Sequence, residues 1–179
     1  MKTPNGRNEI MAVFGNPAKA NGTLNAAWRT QNIKVVKPPG KWQLFFQQDK
    51  NNLIKVSGIS MHKLLEESFL NVLEEIWEHA KGEVGADATE VKIREWLHKN
   101  RLDIHGGGFE FRPITGGSGL SLHSFGIAID WDPLHNPRKK PLTVTLPEWW
   151  FDIWKKHGWS DGRHFGMPDP MHVQFATGA

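Results

Sequence analysis

The stretch Ser121-Leu122-His123-Ser124-Phe125-Gly126-Ile127-Ala128-Ile129-Asp130-Trp131 decides how this chain is read. Gly126–Trp131 has the apolar, β-branched character of a strand. Alternation places Ile127, Ile129 and Trp131 on one face, and Ala128, Asp130 and Asp132 on the other. A carboxylate sharing its face with the small Ala128 has open space beside it. Gly126 lets the chain turn sharply after His123, so an imidazole and a carboxylate can converge from the two ends of one loop–strand unit. Nitrogen and oxygen donors of this kind make half of a zinc site, with bonds of about 2.0–2.2 Å. The same residues also fit a plainer arrangement, with Asp130 capping a turn and His123 on the surface. Asp132, predicted on the same face, can stand in for Asp130.

Further along, Asp169-Pro170-Met171-His172-Val173-Gln174-Phe175 contains a last short strand, Met171–Phe175. A histidine inside an apolar strand needs a partner for each ring nitrogen. A metal and a carbonyl can supply them, and so can ordinary core hydrogen bonds. Asp169 lies across a proline from that strand. It can approach the same site without being a ligand, as a general base must, or serve only as a turn residue. Upstream, Phe109-Glu110-Phe111-Arg112-Pro113 alternates like a strand that ends in Arg112. A guanidinium held there suits a substrate carboxylate or a developing oxyanion. A surface ion pair fits it equally well.

The remaining composition narrows the classes. The 179 residues suit one domain, and 39% hydrophobic with 23% charged residues excludes wholesale disorder. Cysteine and tyrosine are absent, which removes disulfides, thiolate zinc sites, a cysteine nucleophile and a phenolic acid. A net charge of +3 is mild. It does not call for nucleic acid, and Arg138-Lys139-Lys140 reads as a solvated loop. No apolar run reaches the ~18 residues of a membrane span. Met1–Arg7 lacks the apolar core of a secretory signal, so the expectation is synthesis in the cytoplasm without a signal peptide. His-Glu-x-x-His, Gly-x-Ser-x-Gly and phosphate-loop patterns do not occur.

The coarse pattern predicts a helix near Asn25–Gln31 and strands across residues 33–57. Ser60 reads as the N-cap of a long helix whose stripe runs Met61, Leu64, Leu65, Phe69, Val72, Leu73, Ile76, Trp77, Ala80. Thr89 caps a shorter helix, and Thr145 and Pro147 start another that reaches about His157. His62 and His79 fall in the long helix with no special role. His157 and His164 are assigned to surface or supporting positions. Trp149, Trp150, Trp154 and Trp159 are expected to pack a helix on a sheet. The predicted fold is α+β, a single domain over residues 1–179, with a small antiparallel sheet and packed helices.

Ser-x-His-x-x-Gly-x-Ala-x-Asp at residues 121–130, followed by Asp-x-x-His at 169–172, resembles the VanY-type zinc peptidases. These include the D-Ala-D-Ala carboxypeptidases and dipeptidases and the phage L-alanyl-D-glutamate endopeptidases. Phe111-Arg112-Pro113 is similar to their upstream aromatic–Arg element. The resemblance implies a hedgehog/D-Ala-D-Ala-peptidase-like fold, with a peptidase core over residues 60–176 and a family-specific lead-in over 1–58. It implies His123, Asp130 and His172 as ligands of one catalytic Zn2+. Asp169 would be the catalytic base, Arg112 a catalytic and substrate-binding group, and Ser121 a substrate-binding one. One departure is Trp159-Ser160-Asp161-Gly162-Arg163-His164-Phe165, where many relatives carry Trp-Gly-Gly-x-Trp. The implied activity is hydrolysis of peptidoglycan stem peptides. The version favoured is a phage or prophage endolysin, an L-Ala-D-Glu endopeptidase acting on the cell wall after release. A D,D-carboxypeptidase or D-Ala-D-Ala dipeptidase is the alternative, and a non-catalytic zinc-binding recognition or phage structural module a third. The expected state is a monomer, with peptidoglycan peptides as its partners.

Overall fold

Strand β6 (Ala128–Trp131) lies inside a six-stranded sheet of order β3-β2-β5-β6-β8-β7. The computed structural model describes residues 1–117 and 119–178. The other strands of this sheet are β2 (Leu44–Asp49), β3 (Asn52–Val56), β5 (Ile104–Gly107), β7 (Ser160–Gly162) and β8 (Asp169–Gln174). A separate two-stranded sheet pairs β1 (Ile33–Val36) with β4 (Ile59–His62). The helices are α1 (Gly6–Phe14), α2 (Ala26–Asn32), α3 (Glu66–Val84), α4 (Glu90–Lys99) and α5 (Glu148–Lys156).

The α+β single domain is as expected, but the sheet is mixed rather than antiparallel. β2 runs parallel to β5, pairing Phe45 with Ile104 and Phe46 with His105. Between them the chain passes through β3, β4, α3 and α4, a crossover long enough for parallel pairing. The other neighbours in the large sheet are antiparallel. Local patterning reads hairpins readily and says nothing about which distant strand lies alongside.

Helix α3 buries Phe69, Val72, Leu73, Ile76, Trp77 and Ala80 along one stripe, with Glu66 and Glu67 in its first turn and Lys81 in its last. Its entrance differs from the predicted one. Ser60 belongs to β4, opposite Val35, and the helix begins after a 3-10 turn at Lys63–Leu65. Met61 is buried from the strand, so an apolar residue there satisfied both periods. His62 therefore ends β4 rather than riding the helix. Its Nδ1 accepts from the Leu64 amide at 3.3 Å, and its ring packs edge-on to Phe14 at 4.9 Å.

Phe109–Arg112 is not a sheet strand either. The strand lies just upstream as β5, and the chain leaves the sheet at Gly108, where a Cβ would collide with the Ser60 carbonyl oxygen. Phe109 and Glu110 then donate backbone hydrogen bonds to Ser60 and His123. This ties the segment to β4 on one side and to the His123 turn on the other.

Three tryptophans stack between sheet and helix. Trp131 of β6 meets Trp150 at 6.0 Å and Trp154 at 5.7 Å between ring centroids, and all three are buried. Trp159 extends the cluster from Trp154 to Phe175. Trp149 faces the other way and stacks on His79. Helix α1, which sequence patterning did not show, adds Ile10 and Phe14 to the same core. Its start is tied to the far end of the chain: the Gly6 amide donates to Thr177 at 2.7 Å, and the Thr177 amide to Pro4 at 3.0 Å.

Candidate active site

Antiparallel pairing of β6 with β8 sets Asp130 opposite His172. His123 arrives from a 3-10 turn, Leu122–Phe125, whose N-cap is Ser121; the Ser121 Oγ accepts from the His123 amide. Gly126 closes that turn at φ 69°, in the left-handed region. A Cβ on Gly126 would lie 2.6 Å from the Ile33 side chain and 2.7 Å from the His62 amide nitrogen. Both the dihedral and the packing demand glycine here.

Three donor atoms converge as a result. His123 Nε2 lies 3.2 Å from His172 Nδ1 and 3.2 Å from Asp130 Oδ1, and His172 Nδ1 lies 3.1 Å from Asp130 Oδ1. His123 and His172 are buried. The remaining ring nitrogens have partners that fix the tautomers. His123 Nδ1–H donates to the Gly108 carbonyl at 2.7 Å. His172 Nε2–H donates to Gln174 Oε1 at 3.0 Å, and Gln174 Nε2 donates in turn to the Ala176 carbonyl at 3.1 Å. Each imidazole therefore turns a lone pair toward the same point as the carboxylate.

Such a triangle suits a cation. Tetrahedral bonds of about 2.0 Å set neighbouring ligand atoms about 3.3 Å apart, close to the spacings found. His123, Asp130 and His172 thus form a group that can hold a metal ion. The electrostatics agree. Burial pushes the Asp130 carboxyl up, but when a proton rather than a metal ion occupies the facing nitrogens of His123 and His172, their N–H groups outweigh it and hold the carboxyl well below the usual carboxylate range. Burial lowers the His172 pKa, yet the hydrogen bond and charge of Asp130 leave it raised.

Asp169 starts β8 and stands beside this group without joining it. Its Oδ1 is buried with no hydrogen-bond partner, and its Oδ2 is 3.8 Å from Arg138 Nε. Burial raises its pKa above the ordinary aspartate value, against the pull of His172. A cleft of about 260 Å³ opens over these residues. Arg7, Arg112, Arg138, Ser121, Ile114 and Phe165 are among its walls.

All six singled-out residues therefore border one cleft. Arg112 takes the ion pair that its sequence left open while still bordering the cleft. Its Nε donates to Glu110 Oε2 at 2.8 Å. Its backbone is clamped through Ser124 Oγ. Asp132 is not an alternative to Asp130. The strand ends at Trp131, and Asp132 takes φ 41°, turning its carboxylate to Arg101 Nε at 2.7 Å and to Asn136. His157 bonds Glu75, and His164 is exposed beside Glu148 and Asp161. Sequence reasoning missed Gly108, Gln174, Arg7 and Arg138. Only Gln174 carried a signal, since a residue two beyond His172 shares its face of β8.

A protein-family model described as D-alanyl-D-alanine carboxypeptidase matches residues 115–175. The matched segment contains Ser121, His123, Asp130, Asp169 and His172 but not Arg112. No curated protein and no solved structure gives a significant match to the chain. The match covers about a third of the chain, and that third carries the His–Asp–His group.

Proposed function

We propose that this chain is a zinc-dependent peptidase of peptidoglycan stem peptides, working as an L-Ala-D-Glu endopeptidase of the endolysin type. The observation that carries the peptidase chemistry is the His123–Asp130–His172 triangle with the unpartnered Asp169 oxygen in the same cleft. The choice of bond rests on the sequence resemblance.

Two neutral imidazoles and one carboxylate fit Zn2+ in charge and donor type and leave room for a fourth ligand. Bound there, Zn2+ would supply Lewis acidity toward a peptide carbonyl and lower the pKa of a water toward about 7. The chain's own groups do the rest. Asp169 Oδ1, free of other bonds, accepts the proton of the attacking water and passes it to the leaving amine. Burial raises its proton affinity toward what a general base requires. Arg112, anchored by Glu110, steadies the negative oxygen of the tetrahedral intermediate. Ser121 borders the cleft beside His123 and helps place the substrate backbone.

A second reading, hydrolysis of terminal D-Ala by a D,D-carboxypeptidase, is favoured by the description of the matching family model. A binding module without hydrolysis is opposed by Asp169, a buried carboxylate with no structural partner for Oδ1. The test is digestion of purified peptidoglycan by the zinc-loaded protein, with and without chelator, read by mass spectrometry. New L-Ala carboxyl ends with a freed D-Glu amine establish the endopeptidase; released D-Ala establishes the exopeptidase. No product in either form of the protein rejects the peptidase.

A further inference from the structure

The N-terminal segment contributes a side chain to the cleft that the site does not yet use. Arg7 sits in the first turn of α1, and the Gly6–Thr177 backbone bond holds that turn against the chain following β8. Its guanidinium carbon lies 5.5 Å from the centroid of the Phe125 ring, and the group lines the same cleft as His123, Asp130 and Asp169.

The three cleft arginines differ in what holds them. Arg112 is bonded to Glu110, and Arg138 lies 3.8 Å from Asp169. Arg7 forms no ion pair among the described residues, and its Nη1 is buried with no acceptor. A buried donor without an acceptor is costly, and more so on a charged group. A planar fork of N–H groups matches a carboxylate better than any other common peptide group.

We propose that Arg7 is a substrate-binding residue that receives a free carboxylate of the peptide in the cleft. This rests on the peptidase reading above. A stem peptide offers two such groups, the α-carboxylate of γ-linked D-Glu and the C-terminal carboxylate. Arg7 would thereby make the N-terminal segment part of the specificity of the site, although it lies far outside the segment the family model matches.

The test uses the zinc-loaded full chain as wild type, R7Q and R7K. The substrates are L-Ala-γ-D-Glu-L-Lys-D-Ala-D-Ala, its D-Glu α-amide and its C-terminal amide. On the parent peptide, R7Q is expected to raise KM by about 10- to 100-fold, with kcat within about threefold and metal content unchanged. R7K should recover part of the loss. One of the two amides should impose the same rise in KM on the wild type and none on R7Q, which identifies the carboxylate. A wild-type KM in R7Q, or amide effects as large in R7Q as in wild type, overturns the proposal. Should the wild type cleave no peptide, the peptidase reading fails and calorimetric binding of the same peptides decides the subsite. Acid-over-amide preference in wild type but not in R7Q upholds it, and equal binding overturns it. If R7Q melts early, R7K against wild type carries the same comparison.

Discussion

Asp130 and His172 are register partners on adjacent antiparallel strands, and Asp130 Oδ1 lies 3.1 Å from His172 Nδ1 across that pairing. Because backbone pairing sets these residues opposite each other, metal binding should add stability to a site already shaped. A ligand at about 100 times its Kd contributes about 2.7 kcal/mol, or roughly 5–10 °C in Tm for a chain of this size. Zinc should raise the Tm of the wild type by that much and leave Asp130→Ala unmoved. An equal shift in both proteins, by scanning calorimetry, would remove Asp130 from the ligand set.

Asp169→Asn should bind zinc stoichiometrically and lose hydrolysis by about 10²- to 10⁴-fold, the usual range for a general base. Its Tm should stay level or rise, because a buried carboxylate oxygen without a partner is replaced by a neutral amide. A large drop in Tm with proportionate loss of zinc would instead mark Asp169 as structural.

Gln174 fixes the His172 ring by accepting from Nε2–H while its amide is tied to Ala176. Gln174→Ala should weaken zinc affinity by about 10- to 100-fold, as for other partners of metal-bound histidines. Competition with a chromophoric chelator measures it. Unchanged affinity would show that packing alone orients the ring.

Gly126→Ala should destabilise by more than about 2 kcal/mol, since left-handed backbone alone costs an alanine about 1–2 kcal/mol. The new methyl also meets Ile33 and the His62 amide. Urea unfolding reports the loss, and a value under about 1 kcal/mol would mean that the turn can relax.

Burial depresses the pKa of both His62 and His105 to about 4. Between the ordinary value of 6.5 and about 4, the unfolded chain takes up protons that the folded chain refuses. Stability from these groups is therefore complete above pH 6.5 and declines as pH falls toward 4. Asp103 acts in the opposite direction: burial raises it to about 6, so it favours folding as pH falls through 6 toward 3.8. The two imidazoles outweigh the one carboxyl, and His105→Leu should flatten the decline measured by urea unfolding from pH 7 to 4.5. A slope unchanged by that substitution would exclude His105.

The candidate site was legible because its residues sit in two short motifs, 121–130 and 169–172, whose spacing survives in the sequence. What joins the motifs is the register of β6 on β8, which alternation suggested for each strand separately. Asp132 misled because alternation continues in the letters after the strand has ended, and only the positive φ shows that it has. Ser60 misled because Met61 suits both a helix stripe and a strand face. The Gly108 carbonyl and Arg7 left no trace, since a backbone acceptor has no side chain to read and Arg7 meets the cleft only through contacts between the chain ends.

Two of the three donors sit on strands in the interior of the large sheet, with neighbours on both sides. Amides on such interior strands are expected to exchange with solvent through large-scale opening, and those of segments outside regular structure, such as 113–117, through local opening. A captured ion would therefore escape by dissociating straight into the cleft, without waiting for a hinge or a fraying end. Its residence time should follow bond strength and the acidity of the medium, and among the three ligand segments only the His123 turn should make it sensitive to the loops.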